Sequence, residues 1–230
     1  MTEFLQSISL FPLVLTFGTY QVGMWCQKKT KSPLCNPLLI ATVLSIAVLL
    51  LTKFDLQVYQ GSSVWITWLL TPATVSLAVP LYNQLKAFKK DLDAIFTGIA
   101  AGTVASLGFI GVVCILWGLD RSMTVSLLPK SITTAIGLVL SEQSGGIPAL
   151  TSAVIVITGI LGNLVGSFLC KILHITDPIA QGVGFGTASH VIGTSRATEI
   201  DPLAGAVSSL SLVVAGVLTS VLFPLICLFI

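Results

Sequence analysis

Charge is the scarcest feature of this 230-residue sequence: 11 lysines and arginines and 9 aspartates and glutamates leave it 9% charged, against roughly a quarter in an ordinary soluble domain. That scarcity excludes a well-solvated globular surface, and a net charge of +2 is too small for the basic footprint of a nucleic-acid-binding protein. The two histidines, His174 and His190, form no HExxH metal pair, and no GxSxG nucleophile elbow occurs. Gly184-Phe185-Gly186-Thr187-Ala188-Ser189 lacks the third glycine and the βαβ setting of a dinucleotide fingerprint. The five cysteines, Cys26, Cys35, Cys114, Cys170 and Cys227, make no CxxC pair and read as packing residues. No catalytic, metal or cofactor apparatus is visible, so neither an enzyme nor a cofactor protein is expected.

Apolar residues fill the space that charge leaves, at 54% of the chain with a mean hydropathy of +1.00. The stretches from Ile8 to Trp25 and from Leu203 to Ile230 carry no charge at all and are long enough to cross a hydrocarbon layer roughly 30 Å thick. The amino-terminal stretch opens on Met1, Thr2 and Glu3, without the basic patch of a secretory signal, and is expected to be a retained helix. Apolar segments at 4–26, 35–52, 62–84, 94–119, 122–142, 148–170, 178–198 and 203–230 predict an all-α polytopic membrane protein of about eight embedded elements in one domain over 1–230. Lys28, Lys29 and Lys31 mark one loop and Lys86, Lys89 and Lys90 another two crossings on. The positive-inside rule puts both in the cytoplasm and the amino terminus outside.

Two or three of these segments are interrupted, the third candidate being 62–84, where Pro72 and Pro80 stand eight residues apart and predict a deformed helix. The fifth holds Leu127-Leu128-Pro129-Lys130-Ser131-Ile132-Thr133-Thr134, and the proline predicts a break with a short helix starting near it. The free N–H groups and positive dipole end of such a helix suit an anion. The seventh holds Gly182, Gly184 and Gly186 before Thr187, Ser189 and His190, and the glycines predict a second break near Gly184. Ser131 to Gly137 also lines up with Thr187 to Gly193, the pattern of an internal repeat, and paired interrupted segments are the best sequence pointer to a transporter's binding site. Lys130, Ser131, Thr133, Thr134, Thr187, Ser189, His190 and Arg196 are therefore the candidate substrate-binding residues, with His190 also a candidate proton carrier. Arg196 has two readings, a forked partner for a substrate carboxylate or an interfacial residue paired with Glu199 or Asp201. Lys130 is a substrate counter-charge or a topology residue, and His190 a proton carrier or a link to a neighbouring helix. Pro72, Thr74, Pro129, Gly184 and Gly186 are hinge or pore-lining candidates, whereas the spacings Gly98 to Gly102 and Gly162 to Gly166 read as close helix packing.

The stretches Thr71-Pro72-Ala73-Thr74, Pro80-Leu81-Tyr82, Leu128 to Thr134, Gly145-Gly146-Ile147 and Gly186 to His190 together resemble the LrgB/CidB family along most of the chain. The resemblance implies a holin-like or antiholin-like modulator of murein hydrolase export and autolysis beside a smaller LrgA/CidA-type partner. It equally implies a carrier of small carboxylates such as pyruvate, or glycolate and glycerate in the plastid relatives, with crossed, broken helices. Thr71 stands where the family often has an acidic residue, so no carboxylate role carries over there. The sequence lacks the amino-terminal extension of plastid members, which favours a bacterial plasma membrane. The leading expectation is a secondary transporter of small monocarboxylates, forming a homo-oligomer in the lipid bilayer; the alternative is a holin-like component acting through its partner.

Overall fold

A computed structural model describes residues 10–30, 37–76, 79, 82–84, 86 and 89–230. Helix is the regular structure throughout these residues, with no strand among them, as backbone groups in lipid require. The chain divides into two compact units, Met1–Ser76 and Leu77–Ile230.

The first unit contains α1 (Phe11–Thr30), α2 (Pro37–Thr52), α3 (Leu56–Ser62) and α4 (Val64–Ser76). Gly23 lets α1 meet the start of α2, because a Cβ there would stand 2.6 Å from the Pro37 carbonyl oxygen. The hydroxyls of Thr19 and Ser45 join the two helices at 3.0 Å, and those of Thr16 and Tyr59 join α1 to α3 at 2.8 Å. Asp55 starts α3 by accepting from the Gln57 N–H. Pro72 lies inside α4, exposed; the side chain of Thr74, and Pro80, Leu81 and Cys35, lie outside the described residues.

The second unit contains α5 (Leu92–Leu116), α6 (Arg121–Leu127), α7 (Thr134–Gln143), α8 (Pro148–Ile172), α9 (Pro178–Ile200) and α10 (Pro202–Cys227). The stretch Lys89–Leu116, α8 and α10 are long and apolar enough to cross a membrane. Helix starts follow from local chemistry: Asp177 and Asp201 accept backbone N–H bonds just ahead of Pro178 and Pro202, and Asp120 does so for α6. Glycines then let α9 lie against α10, since a Cβ at Gly182 would stand 2.6 Å from the Ala204 carbonyl oxygen. One core cluster gathers Ile95 and Ile99 of α5 with Ala206, Val207 and Ala215 of α10. A second gathers Leu107, Val125, Leu128, Phe223 and Cys227.

Both interruptions are present, the first spanning its proline signal and the second later in the chain than its glycine signal. α6 ends at Leu127, and α7 begins at Thr134 rather than near Pro129. Pro129 ends a helix because it has no N–H to donate, and the chain then makes turns, Lys130 N–H to Leu127 O and Ile132 N–H to Pro129 O. In α9 the backbone leaves the helix not at Gly184 but at Ser189 (φ −137°, ψ 17°) and His190 (φ 43°, ψ −137°). Gly186 is committed to packing, since a Cβ there would stand 2.4 Å from the Ser208 carbonyl oxygen. Pairing Ser131 with Thr187 along the repeat also pairs Thr133, the residue before α7, with Ser189. At that offset the first gap, 128–133, falls on 184–189, most of which is helical in α9, so the two breaks meet only at Thr133 and Ser189.

Candidate functional site

The break in α9 is held open from α8. Along one face of α8, Ile155, Gly159 and Asn163 recur every fourth residue, the spacing that aligns side chains on a helix. The His190 imidazole is buried, with Nε2 2.9 Å from the Ile155 carbonyl oxygen. A carbonyl only accepts, so Nε2 carries the proton. The ring fills the place of a side chain at Gly159, where a Cβ would lie 2.6 Å from Cε1. Past the break, the Asn163 side-chain amide donates to the Ile192 carbonyl at 3.0 Å, and the Thr194 hydroxyl donates to the His190 carbonyl at 2.9 Å. The Ser189 hydroxyl sits over Gly162.

A cavity of about 650 Å³ lies along this assembly. Its walls are Thr158 to Cys170 of α8 and Ala180 to Ser189 of α9, and Lys130 reaches it from the first break. Lys130 is half-buried, and its ammonium donates to the Ser131 hydroxyl at 3.1 Å. No carboxylate lies within ion-pair distance of it among the described residues, where the one ion pair joins Arg196 to Glu199 at 2.7 Å. An ammonium in a low-dielectric cavity without a counter-ion favours the arrival of an anion.

Ser131 also faces a second, smaller space. Its hydroxyl is 2.9 Å from that of Ser106, and with Pro129, Thr103, Thr187 and Thr219 these residues line a void of about 10 Å³, room for about one water molecule. The Thr103 hydroxyl is buried there without a hydrogen-bond partner, while Thr187 donates to the Val183 carbonyl at 2.7 Å. Four elements meet at this void: α5, the first break, α9 and α10.

The structure thus brings Lys130, Ser189 and Gly184 to the cavity and Pro129, Ser131 and Thr187 to the void beside it. Thr133 and Thr134 form the half-buried start of α7, and His190 is turned to α8. Arg196 lies apart from the cavity, held by the Ser167 hydroxyl at 2.9 Å as well as by Glu199. Thr103, Ser106, Thr158, Gln181 and Asn163 were not singled out by the sequence. Thr103 and Ser106 had a legible signal, two hydroxyls one turn apart in an uncharged span. The packing read from Gly98, Gly102, Gly162 and Gly166 is present: Gly98 faces Val183, Gly102 faces Thr187, and Gly166 makes room for the Phe185 ring.

Two broken segments, a cavity reached by a cation with no ion pair among the described residues, and membrane-length apolar helices around them define a polytopic helical membrane protein. The chain belongs to the LrgB-like family, whose profile matches residues 16–229. Among relatives, it is 36% identical to the holin-like protein CidB of Staphylococcus epidermidis and 32% identical to that of Staphylococcus aureus, over 99% of each chain. It is 34% identical to the antiholin-like protein LrgB of Bacillus mycoides over 94% of each chain. No solved structure matches it.

Proposed function

We propose that this chain carries small monocarboxylate anions across a bacterial plasma membrane. The observation that supports this reading is the Lys130 ammonium, which reaches from the first break to a cavity between α8 and the interrupted α9 with a neutral hydroxyl as its hydrogen-bond partner. A carboxylate would supply the missing charge, and Ser189 would present a hydroxyl to it. Alternating access would come from movement of the two broken segments against the remaining helices. Within this reading His190 is a latch on the break, because its Nε2 is engaged by Ile155. Arg196 acts at the periphery through Glu199.

The relatives' names favour a second reading more directly than they favour the first: a holin-like or antiholin-like component that assembles with itself or with a smaller membrane partner. The two separate in proteoliposomes containing this protein alone, loaded with a trapped dye and offered labelled pyruvate, glycolate and glycerate. The carrier reading expects saturable acid uptake with the dye retained. Dye release without saturable uptake would replace it with the holin-like one.

A further inference from the structure

We propose that α1 pairs with the α1 of a second copy of this chain along a seam of Val14, Gly18, Gln21 and Trp25. Their spacing of four, three and four residues is that of a helix–helix seam, in which positions recurring about every 3.5 residues stay in line with a partner. All four are exposed. At about 3.6 residues per turn they lie opposite Pro12, Thr19 and Gly23, the buried side on which α1 meets α2. Within the first unit the seam is therefore an open face. The pairing does not depend on which of the two functional readings holds.

The middle of the seam sets it apart from an ordinary lipid-facing stripe. α1 carries no charge from Phe11 to Gln27, and with Lys28 at the headgroup level Gln21 lies about 10 Å deeper, in hydrocarbon. Lipid tails offer its amide neither donor nor acceptor, and its side chain bonds no described residue. One turn away, a Cβ at Gly18 would have nothing within 4 Å, so a second backbone can come close there. A second copy answers both features. An amide donates and accepts at once, and a two-fold axis beside Gln21 lets each amide donate to the other's carbonyl, with glycine near glycine. Copies of one chain insert the same way round, so the two helices run parallel and their amides share one depth. Trp25 closes the seam at the headgroup end, where membrane tryptophans are favoured.

The test is oxidative cross-linking, in bacterial membranes, of single cysteines placed in the full chain without its native ones. Val14→Cys and Gly18→Cys should each give a disulfide-linked dimer, whereas Tyr20→Cys, exposed on the flank of α1, should not. Energy transfer between two labelled populations in liposomes then reads the affinity. Gln21→Leu, which changes an exposed side chain and leaves the packing of α1 intact, should weaken self-association about tenfold; Gln21→Asn, which keeps the amide, should retain most of it. Benzophenone attached at Gly18→Cys captures whatever lies beside it. A captured product smaller than a dimer would assign the seam to a smaller membrane protein and overturn the pairing. So would a dimer joined through Tyr20→Cys alone, no cross-link at either seam position, or Gln21→Leu associating as tightly as the wild type.

Discussion

His190 sits at φ 43° and ψ −137°, a region that side chains with a Cβ enter at a cost of about 1–3 kcal/mol. Its hydrogen bond to Ile155 and the imidazole packed over Gly159 offset that cost. Removing the ring should therefore be worse with alanine than with glycine, the reverse of their order in an ordinary helix, where alanine is better by about 1 kcal/mol. Thermal unfolding of His190→Ala and His190→Gly measures this, and an alanine variant more stable than the glycine one would contradict the strained break. Thr103 gives the opposite kind of test, because its hydroxyl is buried without a partner. Thr103→Val removes a polar atom at constant shape and should raise stability by about 1 kcal/mol; a loss would mean that the void holds a bridging ligand. Residue roles were only partly legible in the sequence. Lys130, Ser131, Thr187 and Ser189 stood out because polar side chains are rare in these spans. The pairing of Arg196 with Glu199, three residues along the same helix, was one of the two readings the sequence offered, and it is the one the structure shows.

At the scale of elements, α8 presents Gly159, Gly162 and Gly166 to His190, Ser189 and Phe185 of α9. A Cβ at Gly162 would lie 1.6 Å from the Ser189 hydroxyl oxygen and 2.5 Å from its Cβ, so one side chain or the break itself must move. Gly162→Ala should cost roughly 1–3 kcal/mol and reduce any activity that depends on Ser189. Gly184→Ala, with nothing within 4 Å of the added methyl, should leave stability nearly unchanged. Comparing the two by thermal unfolding tests whether α8 is the template for the break. Helix type followed from apolar run length, and each of the eight predicted segments overlaps helix among the described residues, with α6 and α7 sharing one segment; α3, Leu56–Ser62, falls in the stretch between the segments 35–52 and 62–84 that was expected to be a loop. Break positions were less legible. The glycines that suggested flexibility at Gly182 and Gly186 serve contact with α10, and the actual break rests on partners in α8 distant in sequence.

Across the whole molecule, the lysine distribution predicts which side each loop occupies. Single cysteines introduced beside Lys28 and beside Lys89, in a background lacking the native cysteines, should react with an impermeant maleimide only after the bacterial membrane is opened. Reaction of one in intact cells would break the predicted topology. Family membership came from motifs spread along the chain, and the full-length likeness to CidB and LrgB proteins establishes it. The carrier reading distinguishes two cations, Lys130, which has no ion-pair partner among the described residues, and Arg196, which is held by Glu199. The most direct measurement is saturable uptake of labelled pyruvate into proteoliposomes by the wild type, Lys130→Gln and Arg196→Gln, each checked for folding. The account predicts loss of at least tenfold with Lys130→Gln, the effect of about 1.4 kcal/mol or more of lost anion binding, and retention of uptake with Arg196→Gln. Uptake that survives Lys130→Gln but disappears with Arg196→Gln would contradict it.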